Sequence, residues 1–340
     1  MAIINSTPLV NIIILNYNSW EDTVECIESV LNSTYKNFQI FLVDNNSPNN
    51  SEESLIQYLN KKQINSELSK NRDQTFEYQY IEGFENFKNL FKEKYEISKV
   101  SNITENGQLK YPIVFLQTKK NLGFAGANNI ILNEIQKQNN YVWLLNPDMI
   151  INEKTLQNLV KHASNEKSNI IWGSVIKDYY GNREVISYGG SSINKYLATI
   201  KKYKTISDKK IDYIKGNSLF THLSNFELNG LLPEEYFLYW EETDWCFRAK
   251  SQGARLKTCK DAVVYDKGGT SIGRGYLAEY YYTRNSLIFV KNHFSIINVF
   301  TVTVFGFIRV VYNLFKGQSN RSRGIIMGLR DFYLKKTGVE

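Results

Sequence analysis

The segment Tyr141-Val-Trp-Leu-Leu-Asn-Pro-Asp148 carries an apolar run into Asn146-Pro147-Asp148. It predicts a buried strand that delivers a carboxylate to the edge of a sheet. Ligands of open α/β sheets gather outside the carboxyl ends of the strands, and an Asp there with no basic neighbour suits a divalent cation. A Pro-containing turn with Asp as its cap gives the same pattern. A second concentration of chemistry is Tyr239-Trp240-Glu241-Glu242-Thr243-Asp244-Trp245, with three carboxylates in four positions among large aromatics. Such a cluster is costly unless its charge is used, and a desolvated carboxylate gains the proton affinity of a general base. The simpler alternative is a solvated helix start with Asp244 and Arg248 as an i,i+4 pair.

Three further clusters sit where strands give way to helices. Leu15-Asn16-Tyr17-Asn18-Ser19 and Val43-Asp44-Asn45-Asn46-Ser47 offer small polar groups able to read a base and a ribose. Asp44 could accept from a pyrimidine N3–H or a ribose hydroxyl, although Asn, Asp and Ser also dominate ordinary turns. Asn121-Leu-Gly123-Phe-Ala-Gly126-Ala-Asn-Asn129 runs into a helix. Its glycines permit close backbone approach and its helix start offers N–H groups to an anion. The spacing is neither a dinucleotide fingerprint nor a P-loop.

The elements that must hold these residues alternate. Strands are expected at Leu9–Leu15, Phe38–Val43, Ile113–Gln117 and Tyr141–Leu145. Helices are expected between them, from Ser19 to about Asn32, from Ser51 to about Lys62 and from Ala125 to about Gln138. This rhythm means βαβ units and a mainly parallel sheet. Residues 62–110 interrupt it as a charged, aromatic insertion with a helix expected over Phe84–Tyr95 and no clear strand. Beyond a strand at Ile170–Val175 the pattern turns mixed, with hairpins expected at Gly181-Asn182 and Gly189-Gly190.

A chain of 340 residues, 42% hydrophobic and 14% aromatic, can bury a full core. Three widely spaced cysteines fit neither a disulfide framework nor a zinc site, which favours a reducing cytosol. No secretory leader is expected at the N-terminus. From Lys291 onward eight Lys or Arg face two acidic residues, so six of the net +7 charges lie there. A near-neutral body argues against nucleic-acid binding, and the basic tail argues for an anionic surface. Ser295–Phe315 is apolar but interrupted by polar residues, which suits a helix lying on a membrane; a buried packing helix is the alternative.

Asn16-Tyr17-Asn18, Val43-Asp44-Asn45, Asn121-Leu-Gly-Phe-Ala, Leu145-Asn-Pro-Asp148 and Glu241-Glu-Thr-Asp-Trp-Cys-Phe-Arg248 occur in the order found in family 2 glycosyltransferases of GT-A fold. The chain most resembles the bacterial rhamnosyltransferase-like branch that builds O-antigen and capsular polysaccharides. Its tail, from Tyr282-Thr-Arg-Asn285 to Gly328, resembles that branch as well. The resemblance implies a GT-A α/β domain over residues 1–290, with 62–110 inserted, and a basic helical, membrane-associating region over 291–340. It implies that Asn16, Tyr17, Asn18 and Asp44 hold the base and ribose of a dTDP- or UDP-sugar. Asn121, Gly123 and Gly126 would hold its ribose and diphosphate side. Asp148 would ligate Mg²⁺ or Mn²⁺, with Asn146 in place of the first Asp of a D-x-D. Glu242 would be the catalytic base, with Asp244 as runner-up and Glu241 beside them.

Two positions depart from that pattern. The base is Glu where Asp is usual, one methylene longer. Asp266 stands in Val263-Val-Tyr-Asp266-Lys-Gly-Gly where the family usually has His, and as an oxygen donor it keeps ligand chemistry for a harder cation. The expected activity is inverting transfer of rhamnose or a hexose to a hydroxyl of a growing or lipid-linked cell-surface glycan. The expected location is the inner face of the cell membrane, with a homodimer open. A nucleotidyltransferase would want a Gly-rich basic loop after the first strand, which Asn16-Tyr17-Asn18 lacks. A catalytically weak sugar-nucleotide- or glycan-binding module differs from an enzyme in showing no donor hydrolysis that depends on Glu242.

Overall fold

The computed structural model describes residues 7–64, 97–105, 108–205, 211–268 and 275–338. Val10–Asn16 (β1) and Phe38–Asp44 (β2) are apolar runs buried almost throughout, as strands covered on both faces must be. Trp20–Leu31 (α1) joins them, burying Cys26, Ile27, Val30 and Leu31 while Glu21 and Asp22 occupy its exposed first turn. Ser51–Ile64 (α2) follows, then Ile97–Glu105 (β3) and Gln108–Thr118 (β4) as an antiparallel pair. Gly123–Ile135 (α3) leads to Tyr141–Leu145 (β5). Then come Met149–Ile151 (β6), Thr155–Ser164 (α4), Ile170–Asp178 (β7) and Val185–Tyr188 (β8).

Gly190–Asn194 (β9), Thr199–Lys202 (β10) and Tyr213–Ile214 (β11) make a separate small sheet. Ser218–His222 (β12), Ser224–Asn229 (α5), a 3-10 turn at Glu234–Tyr236, Glu241–Ser251 (α6) and Arg255–Asp266 (β13) complete the α/β body. The main sheet runs β3-β4-β2-β1-β5-β12-β7-β13-β6, with β8 paired to β7. One core, under α1, α2 and α4, covers one face; a second, under α3, α5 and α6, covers the other.

Register sets the site. In the parallel run β4-β2-β1-β5, Gln117 lies beside Asp44, Asp44 beside Asn16, and Ile14 beside Leu145. The carboxyl ends of four strands therefore form one edge. β12 enters antiparallel with Ser218 opposite Leu145, so residues 215–217 arch over the end of β5. β13 pairs antiparallel with β6, Asp266 opposite Met149, which carries Asp266 to the same region as Asp148.

Three helices follow: Tyr276–His293 (α7), Ile296–Phe315 (α8) and Ser319–Tyr333 (α9). Ser295 and Asn298 form a reciprocal capping box that starts α8. Residue 290 lies inside α7, so the basic region expected from 291 begins within a continuous helix.

Several expectations need correction. The stretch 62–110 contains β3 and the first part of β4, so it is not strandless. The helix expected over Phe84–Tyr95 lies outside the described residues. The hairpin at Gly181 exists, between β7 and β8. The one at Gly189-Gly190 does not: the chain there leaves the main sheet for the small one. Gly189 adopts φ +66°, and a Cβ on Gly173 would lie 2.8 Å from the Gly189 Cα, so two backbones pass in contact at this crossing. Ser19 holds the N-cap position of α1, but its hydroxyl turns to Asn16 Oδ1 (3.5 Å) and caps nothing.

Candidate active site

Asp44 is fully buried at the end of β2. Its Oδ1 accepts from Asn16 Nδ2 (2.7 Å) and Ser47 Oγ (2.6 Å). Its Oδ2 has two longer contacts, Ser47 N–H and Gln117 Nε2, both at 3.3 Å. Asn16 is anchored in turn by the Thr23 hydroxyl (2.8 Å). Asn18 adopts φ 59°, donates its backbone N–H to Ser47 Oγ (2.9 Å), and keeps a buried Oδ1 with no partner among the described residues. Tyr17 is half-buried beside it. Asn16, Asn18 and Asp44 therefore share one network, and its weakly held acceptors are Asp44 Oδ2 and Asn18 Oδ1.

The Asn121–Gly126 loop is organised differently from expectation. Asn45 Oδ1 accepts from Leu122 N–H (2.9 Å), Asn121 Oδ1 from Gly123 N–H (2.9 Å), and the Phe237 carbonyl from Phe124 N–H (2.8 Å). The N–H groups of Leu122, Gly123 and Phe124 at the start of α3 are thus satisfied inside the protein. Gly123, at φ +71°, is glycine because a Cβ would sit 2.2 Å from the Phe237 oxygen. A Cβ on Gly126 would meet Leu122 Cβ at 3.1 Å and Glu234 only at 3.9 Å, so the close approach to the 234–237 segment is made at Gly123.

Asn146 and Asp148 follow β5 as intended. Asn146 N–H donates to the Asn217 carbonyl (3.1 Å), tying the 215–217 arch to this edge. Asp148 is half-buried, and its carbonyl accepts from Lys267 N–H (3.0 Å). Lys267 itself is drawn away to Asp22 and Glu25 on α1. Asp266 Oδ1 accepts from Gly268 N–H (2.7 Å). Among the described residues no three His, Cys, Asp or Glu cluster as a ready-made metal cage. Two carboxylates on adjoining strand ends do suit Mg²⁺ or Mn²⁺, which commonly bind one or two carboxylates and complete their shells with phosphate oxygens and water.

The three acids of α6 separate into three roles. Asp244 is buried and accepts from Tyr236 Oη (2.8 Å), Arg248 Nε (3.0 Å) and His293 Nε2 (2.8 Å). Burial works to raise its pKa, but His293, Tyr236 and Arg248 together hold it below the ordinary carboxylate value. With both oxygens engaged, Asp244 is a structural anchor, and its candidacy as base falls. Glu241 is 3% exposed, with Oε2 buried and without a partner among the described residues. Burial and then the Glu242 charge push its pKa well up. Glu242 is half-buried, and its Oε1 lies 3.5 Å from Gly216 N, under the 215–217 arch. Burial raises its proton affinity, tempered by backbone donors and the Lys215 charge.

What aims α6 is a left-handed run immediately before it. Phe237, Tyr239 and Trp240 adopt φ 63°, 66° and 79°, a region that costs side-chain-bearing residues about 1–2 kcal/mol each. A clamp from α7 holds them. Asn285 Nδ2 donates to the carbonyls of Tyr236 (2.6 Å), Leu238 (2.6 Å) and Tyr239 (3.2 Å). Its Oδ1 accepts from the fully buried Arg284, whose guanidinium lies over Tyr280 and Tyr281. Strain of this kind persists only where the surroundings over-determine it.

Sequence reasoning gave no role to Lys215, Arg284, Asn285 or His293. Lys215 precedes the glycine that touches Glu242, and burial lowers its pKa to about 8 although Asp266 and Glu242 pull it upward. Among the described residues no ion pair or hydrogen bond of its ammonium is found, and it feels the charges of Lys202, Asp266 and Glu242. A Lys three residues before an apolar strand carries no local signal of this. Arg284-Asn285 did carry one: a cation and an amide set between the aromatic run Tyr280–Tyr282 and the aliphatic run Leu287–Val290.

A model of the family described as glycosyl transferase family 2 matches residues 11–89 and 99–224. The low-salt glycan biosynthesis hexosyltransferase Agl10 of Haloferax volcanii is 28% identical over 166 residues, 44% of this chain and 51% of that protein. Rhamnosyltransferase WbbL of Escherichia coli is 26% identical over 155 residues, 39% of this chain and 56% of that one. The chain thus spans about half the length of the curated relatives it matches. Among solved structures, mannosyltransferase PcManGT from Pyrobaculum calidifontis, in complex with GDP-Man and Mn²⁺, aligns with a TM-score of 0.54 at 12% identity. That alignment covers 98% of this chain and 89% of that one, and the shared architecture is the GT-A fold.

Proposed function

The chain belongs to glycosyl transferase family 2, and we propose that it moves one sugar from a dTDP- or UDP-sugar to a glycan hydroxyl with inversion. The observation that carries this is the half-buried Glu242, of raised proton affinity, beneath an arch that ties it to the carboxyl end of β5. A carboxylate whose pKa rises toward the working pH accepts a proton more effectively in the transition state. Glu242 takes the acceptor's proton as that oxygen attacks the anomeric carbon. Attack opposite the leaving diphosphate inverts the centre in a single displacement.

The base and ribose would rest against Asn16, Tyr17, Asn18 and Asp44. A pyrimidine N3–H would reach Asp44 Oδ2 in place of one of its 3.3 Å contacts. Asp148 and Asp266 would hold a Mg²⁺ or Mn²⁺, which when bound neutralises charge on the departing diphosphate. Lys215 adds a positive charge from the protein itself at the same edge. The name of the WbbL relative favours rhamnose as the donor sugar and that of Agl10 a hexose.

The same reading takes residues 1–290 as the transferase body and the C-terminal helices as its hold on the inner face of the cell membrane. α8 is long and apolar enough to cross a membrane by length and composition, with mean hydropathy 1.6. It is nevertheless two-faced: Val302, Gly306 and Val310 turn inward, while Phe300, Phe307 and Phe315 are exposed. A helix with one packed and one bare apolar face suits the interfacial plane.

The test is nucleotide release from a panel of dTDP- and UDP-sugars, with divalent cation and with chelator, on wild type, Glu242→Gln and Asp148→Ala. The expected result is one donor turned over metal-dependently, with release reduced at least about 100-fold in both variants. Turnover that survives Glu242→Gln would remove the assigned base.

A further inference from the structure

Residues 215–217 form a short arch that is tied down along its whole length. Lys215 N–H donates to the Gly189 carbonyl (3.4 Å), and the Lys215 carbonyl accepts from Ser218 N–H (3.2 Å). The Asn217 carbonyl takes Asn146 N–H at the end of β5 (3.1 Å), and Gly216 N lies 3.5 Å from Glu242 Oε1. A Cβ on Gly216 would meet the Phe124 ring at 3.2 Å and Glu242 Cγ at 3.5 Å, so the arch is wedged between the first turns of α3 and α6. The backbone of Lys215 is therefore fixed where the end of β5, the start of α3 and the candidate base converge.

The arch carries a cation that no anion of the protein closes upon. Lys215 is half-buried, and burial and then the Lys202 charge lower its pKa to about 8 against the pull of Asp266 and Glu242. A lysine whose work was only to balance Asp266 or Glu242 would close an ion pair with one of them, and among the described residues it closes none. An ammonium taken out of water is costly unless it is paired and hydrogen-bonded. Two residues on, Asn217 Oδ1 is also buried without a partner among the described residues. In the transferase reading, the anion that comes to this edge is the donor's diphosphate. Glu242 must lie near the anomeric carbon, so the phosphate beside the arch is the second one, which is bonded to that carbon.

We propose that Lys215 bonds the second phosphate of the donor directly and so holds the leaving group without the help of a metal ion. This rests on the transferase reading. As the acceptor oxygen bonds the anomeric carbon, the bond from that carbon to the diphosphate oxygen breaks and its electron pair stays on the diphosphate. Glu242 takes the acceptor's proton. Lys215 transfers none; its N–H groups meet the phosphate oxygens on which the charge develops. A fixed donor aimed at developing charge acts on the transition state and needs no reorganisation when the bond breaks. Gly216 touches Glu242 and follows Lys215, so the base and the leaving-group cation are held by adjacent residues of one arch.

The experiment is calorimetric binding of uridine and thymidine mono- and diphosphates to the full chain, in chelator and near neutral pH. Wild type should bind the diphosphate about tenfold more tightly than the monophosphate of the same base, the worth of one hydrogen bond to a charged group. Lys215→Met should bring the two affinities within about twofold while leaving that for the monophosphate unchanged. Lys215→Arg should keep the preference, and Lys215→Gln decides the matter should Lys215→Met melt. A preference that survives the neutral variants overturns the proposal. So does an equal loss of both nucleotides, which would make Lys215 a contact of the first phosphate or a support of the fold. A wild type that in chelator binds both nucleotides equally, or binds only once Mn²⁺ is added, removes the proposal and leaves the transferase standing. Binding of neither nucleotide even with Mn²⁺ removes the donor pocket, and the transferase reading falls with it.

Discussion

Asn285→Ala should cripple the reaction far more than it loosens the fold. The substitution removes two 2.6 Å bonds to the carbonyls of Tyr236 and Leu238, a 3.2 Å bond to Tyr239, and the acceptor for Arg284 Nε at 3.0 Å. Two buried neutral bonds and one charge-assisted bond amount to about 4 kcal/mol. The clamp also restrains three left-handed residues, Phe237, Tyr239 and Trp240, whose relaxation returns about 3 kcal/mol. The net destabilisation is then about 1 kcal/mol, a fall in Tm of about 1–2 °C for a chain of 340 residues. The relaxed loop no longer aims α6, and an ångström of drift at Glu242 lowers kcat about 100-fold. KM for the donor should stay near wild type, because Asn16 and Asp44 are held by β1 and β2 and do not touch the clamp. Nucleotide release with varied donor, beside a thermal melt, measures all three quantities. A kcat within twofold of wild type, or a loss that falls on donor KM, refutes the view that strain and clamp position the base.

Two further outcomes follow from charges around α6. Lys215 lowers the proton affinity of Glu242, so Lys215→Met should raise it and move the acidic limb of the kcat/KM profile to higher pH; an unmoved limb would place Lys215 too far away to matter. Asp244 has a depressed folded pKa, so its stabilisation is present above the unfolded Asp value of about 3.9 and is lost as pH falls through the folded value. Glu241 is raised, so its stabilisation is present below the unfolded Glu value of about 4.3 and is lost as pH rises through the folded one. Melts across pH should therefore find Asp244→Asn less stable than wild type at neutral pH, with the gap closing in acid. Glu241→Gln should gain on wild type progressively as pH rises above about 4.3.

The parallel half of the fold was legible because its signal is local. β1, β2 and β5 are apolar runs that end in Asn, Asp and Pro, and such runs are strands whose last residues reach the ligand edge. β3 was missed because Ile-Ser-Lys-Val-Ser-Asn-Ile-Thr-Glu spaces its aliphatic residues by three, where a half-buried strand alternates by two. The acids of α6 were legible as a group but not as individuals. Asp244 is settled by His293, which is 49 residues away, and Glu241 by the lack of any partner. Gly123 owes its glycine to Phe237, more than a hundred residues on, a packing contact with no signal in the local sequence.

α7 joins these threads. Its Asn285 restrains the loop before Glu241, and its last residue, His293, bonds Asp244 inside α6. One or two turns earlier, Tyr282 and Thr283 line a cavity beside α8, and Glu279 bonds Arg309 and Arg321. A single eighteen-residue helix therefore touches both the segment that aims α6 and the apolar helix α8. A boundary drawn at residue 290 from charge alone cuts between Asn285 and His293, the two α7 contacts to the acidic loop and α6. Positive charge concentrates beyond that point, where eight Lys or Arg face two acidic residues. The mechanical unit runs through that point, because α7 is one continuous helix that bonds the loop before Glu241, Asp244 in α6, and Arg309 and Arg321 of α8 and α9.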